Sequence, residues 1–228
     1  MRHFILAFAL FTGTLASVVA ASAQAATQSP KRAELRSTIT KPLKRAAALM
    51  KEQRYTDALG VIRETDSVEN KTHKETLAVA RMRGMAAMGA GDRETAGKAW
   101  TVFVASDEVP VEHRLKIAKT MAEMFYNAKD YPPGIGWANR YLALGGADPD
   151  MQLLIGQSHY LSGNYAAAER VLKEQIAASE KQLAKPTKEW LLLLADCEAK
   201  LNDEAARAKT LEKIRAYYPE AKKEGARR

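Results

Sequence analysis

The sequence is poor in the residues that build disulfide frameworks and β-sheets. A single cysteine, Cys197, occurs in 228 residues, so the chain cannot form an internal disulfide. Aromatic residues amount to 7% and runs of Val, Ile and Thr are scarce, whereas Ala, Leu, Lys and Glu are abundant, which favours helix over sheet. Cys197 lies within an apolar helical run, which predicts a small core residue; a thiol paired between chains is the alternative.

Long apolar segments are missing beyond the N-terminus, and the one that is present has the layout of an export signal. Arg2 and His3 precede an uncharged apolar run over residues 4–19, and small residues then offer Ala at the minus-three and minus-one positions of two cleavage sites. This pattern predicts a secretory signal peptide cut after Ala25 or Ala23. A membrane anchor is disfavoured, because the run is shorter than the roughly 20 residues that span a bilayer. We therefore expect a periplasmic or secreted protein with no integral membrane span.

The formal charge of the whole chain is +8, and loss of Arg2 with the signal removes one of these charges. Basic charge in a cytoplasmic protein would favour nucleic acid as a partner, but export takes the protein away from it. Acidic proteins, anionic lipid headgroups and wall polymers are the partners that this charge favours on electrostatic grounds. Simple solubility is the alternative explanation.

Apolar residues recur at steps of three and four, the period of amphipathic helices, as in Tyr165, Ala168, Leu172 and Ile176. The helices are short, and Asp148-Pro149 has the form of an N-cap followed by proline in the first turn. Five turn pairs interrupt the pattern: Gln53-Arg54, Gly91-Asp92, Lys129-Asp130, Gly163-Asn164 and Asn202-Asp203. Each pair is predicted to split two helices of one unit rather than to end a domain.

Alignment on these turns produces five units whose post-turn residues are Tyr55, Arg93, Tyr131, Tyr165 and Glu204. The spacings are 38, 38, 34 and 39 residues. A unit of two helices cannot bury its apolar face alone, so neighbouring units must stack. The longer spacings predict longer loops or helices around residues 66–73, 106–110 and 180–188.

The fourth unit combines small residues in its first helix, an aromatic after the turn and a later alanine: Ile155, Gly156, Tyr160, Gly163, Asn164, Tyr165, Ala168 and Leu172. This pattern resembles the tetratricopeptide repeat, and weaker versions occur in the other units, over residues 39–219. Together with the export signal it resembles the bacterial periplasmic members of that family. The resemblance implies an all-α fold, a right-handed α-solenoid of about five helix pairs over residues 39–220. The expected flanks are a signal peptide (1–25), a leader (26–38) and a basic C-terminal tail (221–228).

Catalytic constellations are not apparent in the sequence. His73, His113 and His159 fall in three different units, and none has the spacing of a metal site with another His or a Cys. The glycines between Arg83 and Asp92 follow no strand and lead to no Gly-Lys-Ser/Thr, so they are better explained by helix contacts than by a phosphate loop. We therefore expect no enzyme, no cofactor and no metal.

Family members of this type bind ligands in a concave groove lined by the first helix of each pair. The resemblance therefore implies a protein-interaction scaffold that holds a peptide segment or helix of an envelope protein. The partner-binding candidates in this register are Met50, Arg81, Met85, Met88, Lys116, Lys119, Tyr126, Asn127, Gln157 and Tyr160. Their thioethers suit an adaptable surface, and Lys119 with Arg81 is predicted to hold carboxylates.

The candidate residues also have simpler explanations. Methionines at helical spacing are often core residues, and exposed lysines are often only solvated. The lysine/asparagine carboxylate clamp of chaperone-binding members does not carry over, because Met85 and Glu123 stand at its asparagine positions. The alternative function is an accessory subunit of an outer-membrane transport or assembly complex that uses its basic C-terminus, including Lys222 and Arg228.

Overall fold

A computed structural model describes residues 35–219, and within that range the chain is helical apart from turns and short loops. The helices are α1 (Ser37–Lys51), α2 (Tyr55–Arg63), α3 (His73–Ala90), α4 (Arg93–Val104), α5 (Val111–Asn127), α6 (Tyr131–Ala143), α7 (Pro149–Leu161), α8 (Tyr165–Lys181), α9 (Lys188–Lys200) and α10 (Glu204–Tyr217). The predicted signal peptide and basic tail lie outside the described residues. Helix α1 begins two residues before the predicted start of the solenoid.

The five post-turn residues of the sequence alignment are the first residues of the even-numbered helices. Tyr55, Arg93, Tyr131, Tyr165 and Glu204 begin α2, α4, α6, α8 and α10 respectively. The units are therefore the pairs α1/α2, α3/α4, α5/α6, α7/α8 and α9/α10. The loops after α2 and α4 fall where the 38-residue spacings predict them, and α8, at 17 residues, is longer than α6, at 13.

Each turn within a pair contains one residue in left-handed backbone, and the next residue precedes the second helix. The left-handed residues are Gln53 (φ 61), Gly91 (φ 72), Lys129 (φ 60), Gly163 (φ 75) and Asn202 (φ 59). Three of the following residues, Asp92, Asn164 and Asp203, accept a hydrogen bond from a backbone N–H of the first helical turn. A left-handed residue followed by an N-cap reverses the chain in two or three residues, which explains the short helical hairpins.

Every helix packs against its neighbours in sequence, and first helices also contact first helices. Among the described helices the backbone of α1 lies near that of α3, and the backbone of α7 lies near those of α5 and α9. The described even-numbered helices meet one another only through side chains, as Arg140 of α6 does with Thr101 of α4. This is the stacking that a solenoid of helix pairs requires. It confirms the predicted all-α repeat array.

The second and third units pack less closely against each other than the other neighbouring units do. No Cα atom of α3 lies within 8 Å of a Cα atom of α5, and a cleft of about 800 Å³ lies between α4 and α6. Arg140 bridges it, because its guanidinium stacks 4.6 Å from the Trp137 ring and donates a 3.0 Å hydrogen bond to Thr101 Oγ1.

Glycines in α3 admit aromatic rings from the neighbouring second helices. A Cβ on Gly84 would lie 2.5 Å from the ring of Trp100, and one on Gly89 would lie 2.3 Å from the ring of Tyr55. These glycines are therefore helix-contact residues, as the sequence predicts. Gly91 ends the same helix in left-handed backbone.

The last units have a buried cluster of their own, formed mainly by α8, α9 and α10. Cys197 belongs to it and is fully buried, which confirms the prediction of a small core residue. None of the helices within residues 35–219 is long and apolar enough to cross a membrane.

Candidate interaction surface

The sequence places its binding candidates on the first helices, and the structure shows which of them share a face. Counted back from the N-caps of the second helices, Arg81 and Lys119 are equivalent, and so are Met85, Glu123 and Gln157. Equivalent positions of stacked units lie on the same side of the array. We call the exposed side of α3, α5 and α7 the first-helix face.

Helix α3 contributes a basic and apolar stripe to this face. Lys74, Arg81 and Met85 are exposed and recur at steps of seven and four, so they share one side of the helix. Met85 is 42% exposed. Arg81 forms no ion pair within the part of the chain that the structure describes. The only acid of α3, Glu75, is buried and held by Arg36 at 2.7 Å, which leaves the stripe without a neutralising carboxylate.

Helix α5 adds a mixed stripe. Lys116 and Asn127 are exposed, and Lys116 has no ion-pair partner among residues 35–219. Glu123 stands between them, with its carboxylate 3.9 Å from the Lys119 ammonium. The first-helix face is therefore positively charged on α3 and nearly balanced on α5.

Lys119, which the sequence predicts to hold a partner's carboxylate, already has a carboxylate partner among the described residues. Its ammonium donates to Asp148 Oδ2 at the start of α7. This hydrogen bond raises the pKa of Lys119 and lowers the pKa of Asp148. Asp148 also accepts from the Asp150 N–H as the predicted N-cap, so one carboxylate starts α7 and attaches it to α5.

A second connection between α5 and α7 joins two of the predicted residues. The Tyr126 hydroxyl donates to Gln157 Oε1 over 3.0 Å, and the Tyr126 ring makes an edge contact with Tyr131 at 6.0 Å. Burial raises the pKa of Tyr126, so the phenol stays protonated and keeps donating at neutral pH. The side chains in this area are held in place rather than freely solvated.

The remaining candidates are mostly packed. Tyr160 makes an edge contact with Tyr165 at 5.3 Å. Met50 and Met88 pack against the core, and Met88 Sδ accepts a 3.0 Å hydrogen bond from Trp100 Nε1. Of the three methionines, only Met85 is an exposed thioether, so the predicted Met-rich surface is smaller than expected.

Two roles could not be read from the sequence. Asp148 is 29 residues from Lys119, and no local spacing indicates that pair. Glu198 is a charged residue in a helical run, yet it is buried in α9. In the repeat alignment Glu198 is equivalent to apolar residues of the first three units, and only this comparison could have predicted its burial.

No group of three or more His, Cys, Asp or Glu within the described range is arranged to hold a metal ion. His159 is partly buried, and burial together with Arg170 lowers its pKa, so the imidazole is neutral at pH 7.

No protein-family model matches the chain, and no curated protein matches it significantly. Solved structures of repeat proteins are similar at low identity. A kinesin light chain with TPR-like repeats from Podosopora anserina is 15% identical, with 81% of this chain and 96% of that chain covered and a TM-score of 0.43. MamA from Desulfovibrio magneticus RS-1 is 11% identical, with 82% and 98% covered and a TM-score of 0.43.

Proposed function

We propose that this protein is a non-catalytic interaction scaffold of the bacterial periplasm whose first-helix face binds an extended, acidic segment of another envelope protein. One observation carries the proposal. Arg81 and Lys116 are exposed cations on successive units, neither forms an ion pair within residues 35–219, and the exposed thioether of Met85 lies one turn from Arg81.

Charge selects the chemistry of the partner. Unpaired guanidinium and ammonium groups on an exposed surface attract carboxylates, and the planar guanidinium of Arg81 suits bidentate binding. Met85 offers a flexible apolar contact beside it. A segment that carries acidic residues next to an apolar one fits these three side chains.

The proposal contains no catalytic step. Two polar pairs join α5 to α7, Lys119 with Asp148 and Tyr126 with Gln157. These contacts hold two units in register and leave their polar atoms partnered. A preordered surface loses less entropy on binding, which is what a scaffold needs.

Site-specific photocrosslinking in intact cells tests this proposal. A photoreactive amino acid replaces Met85. In the matched control the same amino acid replaces Val102 of α4, which is 45% exposed and lies outside the first-helix face. We expect a discrete crosslinked protein from position 85 that is absent from position 102. The combined substitution Arg81→Glu and Lys116→Glu removes it, and the captured protein carries an acidic segment at the crosslink. The same products from both positions, or products insensitive to the charge reversal, contradict the proposal.

Export is supported by the N-terminal sequence alone and has its own test. Cell fractionation with mass spectrometry of the purified protein should find a mature chain beginning at Ala26 or Gln24 in the periplasmic fraction. Substitution of Ala23 and Ala25 by Asp should leave a longer, membrane-associated precursor. An intact N-terminus in the cytoplasmic fraction removes the periplasmic part of the proposal and leaves the binding surface to be judged by the crosslinking experiment.

A further inference from the structure

A pocket of about 490 Å³ opens on the second-helix side of the last two units, between α8 and α10 and above α9. Ile176, Ala177 and Leu194 supply an apolar lining, and Ala205 and Ala206 line it from α10. This pocket is separate from the first-helix face, because none of its lining residues belongs to α3, α5 or α7.

Glu198 lines this pocket although it is only 1% exposed. Its Oε2 has no hydrogen-bond partner in the described part of the chain. A buried carboxylate oxygen without a donor is costly, because water no longer solvates it and nothing in the protein replaces the water. An acceptor of this kind inside a pocket indicates a place for a donor from outside the chain.

The counter-charge near Glu198 is incomplete. Lys173 Nζ is 3.6 Å from Glu198 Oε1, but the same ammonium is only 2.5 Å from Glu169 Oε1. One cation therefore serves two carboxylates, and the group of three carries a net negative charge. Lys213 on the rim pairs with Glu180 at 2.7 Å. The lining also contains Lys209 and Asp203, one charge of each sign, so the imbalance remains with the Lys173 group. The negative charge next to Oε2 favours a cationic donor over a neutral one.

The repeat itself shows that Glu198 is unusual. The backbone N–H of each N-cap before a second helix donates to the carbonyl five residues earlier, which aligns Leu49, Ala87, Phe125, His159 and Glu198. The first three of these positions are apolar. Helix packing in this fold therefore does not require a carboxylate there, and a charge at this place weakens a stacked array unless it is compensated.

The same comparison between units identifies a second polar residue that lines this pocket. Thr210 is buried and lines the pocket, seven residues after its N-cap. The equivalent residues of the four preceding units are Val61, Ala99, Trp137 and Val171. Two repeat positions that are mainly apolar elsewhere have thus become polar together, and both line one pocket.

We propose that this pocket binds a primary alkylammonium group, whose N–H donates to Glu198 Oε2 while its alkyl chain lies against Ile176 and Leu194. An aliphatic amine and a lysine side chain of a polypeptide present the same chemistry. The site is independent of the acidic segment proposed for the first-helix face, since it has the opposite charge preference and lies on other helices.

The test is an NMR titration of the mature protein with n-butylammonium, n-butanol and n-butyrate, which share a chain length and differ in the polar group. We expect saturable shifts of α9 and α10 amides with butylammonium, weaker shifts with butanol and none with butyrate. Glu198→Gln should weaken butylammonium binding at least about tenfold. The matched control is Glu174→Gln, an exposed carboxylate on α8 that pairs with Arg170 at 3.6 Å and does not line the pocket.

Ala205→Trp supplies a second variant that leaves Glu198 in place, because Ala205 is exposed at the rim and an indole there blocks the pocket. It should abolish the shifts without unfolding the protein. A lysine tripeptide blocked at both ends separates the two sources: tighter binding than butylammonium indicates a polypeptide partner, and equal binding indicates a free amine. Butylammonium binding that survives both variants, or equal binding of all three probes, overturns the proposal.

Discussion

Tyr126 of α5 and Gln157 of α7 form a hydrogen bond of 3.0 Å that links the third unit to the fourth. The two residues are 31 positions apart, and each occupies a site that is exposed or half-buried in the other units. The ion pair of Lys119 with Asp148 joins the same two units, so two polar contacts hold this junction.

Tyr126→Phe should destabilise the protein by about 1 kcal/mol, because it removes a half-buried hydrogen bond and leaves the Gln157 acceptor unpaired. Urea denaturation followed by circular dichroism measures the change. Tyr165→Phe is the control, since the Tyr165 ring makes an edge contact but its hydroxyl forms no hydrogen bond within the described residues. A double-mutant cycle with Gln157→Ala should recover a coupling close to the single effect; additive effects would contradict the bond.

Gly84→Ala should destabilise the protein by roughly 1–2 kcal/mol. The new methyl group lies 2.5 Å from the Trp100 ring, and the overpacking exceeds the gain in helix propensity. Gly60→Ala is the matched control, because a Cβ at that helical position meets no atom within 4 Å. It should stabilise the protein by about 0.5–1 kcal/mol. Thermal unfolding of both variants checks the pair, and equal effects would show that propensity alone decides.

The Arg36–Glu75 ion pair should make stability fall in acid. Hydrogen bonds from the Arg36 side chain, and from the backbone N–H groups of Arg36 and Thr72, lower the pKa of Glu75 to about 2. Since the folded pKa lies below the ordinary value of 4.5, the stabilisation is complete above that value and is lost as the pH falls toward 2.

Melting temperatures measured between pH 7 and 2 test this dependence. Glu75→Gln should be less stable than the wild type at pH 7, and its melting temperature should change less below pH 4.5. Glu212→Gln is the control, since Glu212 is exposed on α10 and forms no ion pair in residues 35–219. Parallel curves for Glu75→Gln and the wild type would exclude this pair as the source of the acid sensitivity.

Cys197 should resist thiol reagents while the protein is folded. Its side chain is fully buried, and burial, with smaller contributions from nearby carboxylates, raises the pKa of the thiol to about 12. Labelling at pH 8 should be at least about 100-fold slower than for a cysteine introduced at Leu183, which is 97% exposed, in a Cys197→Ala background. Equal rates would restore the alternative of a thiol paired between chains.

Turn chemistry explains why the helix boundaries could be predicted. Gly91 and Gly163 enter left-handed backbone without a Cβ penalty, and Asp92 and Asp203 cap the next helix with their own carboxylates. These effects act within a few residues and need no partner from elsewhere. Lys129 and Gln53 are not preferred left-handed residues, and only the spacing of the repeat units predicted turns there.

The binding residues were harder to predict, because helical register identifies a face but not what other helices do to it. On its own helix Lys119 has only the exposed Glu123 as an ion-pair partner, at 3.9 Å, and it gains the hydrogen bond to Asp148 once α7 is docked. Met88 follows Met85 by three residues on α3 and was predicted to bind with it, yet the indole N–H of Trp100 from α4 donates to its sulfur. Such contacts join residues of different elements, so local spacing carries no trace of them.

Helical periodicity, capping and the recurrence of the turn pairs by themselves determined five helix pairs and the first residue of each second helix, because these features depend on interactions within one unit. Only the tertiary structure decided which candidates stay exposed, which polar groups pair across units, and that Glu198 is buried in a pocket with an unpartnered oxygen. The physical reason is that the burial of a residue depends on the neighbouring unit. The pocket around Glu198 forms only when α8 and α10 pack on either side of α9.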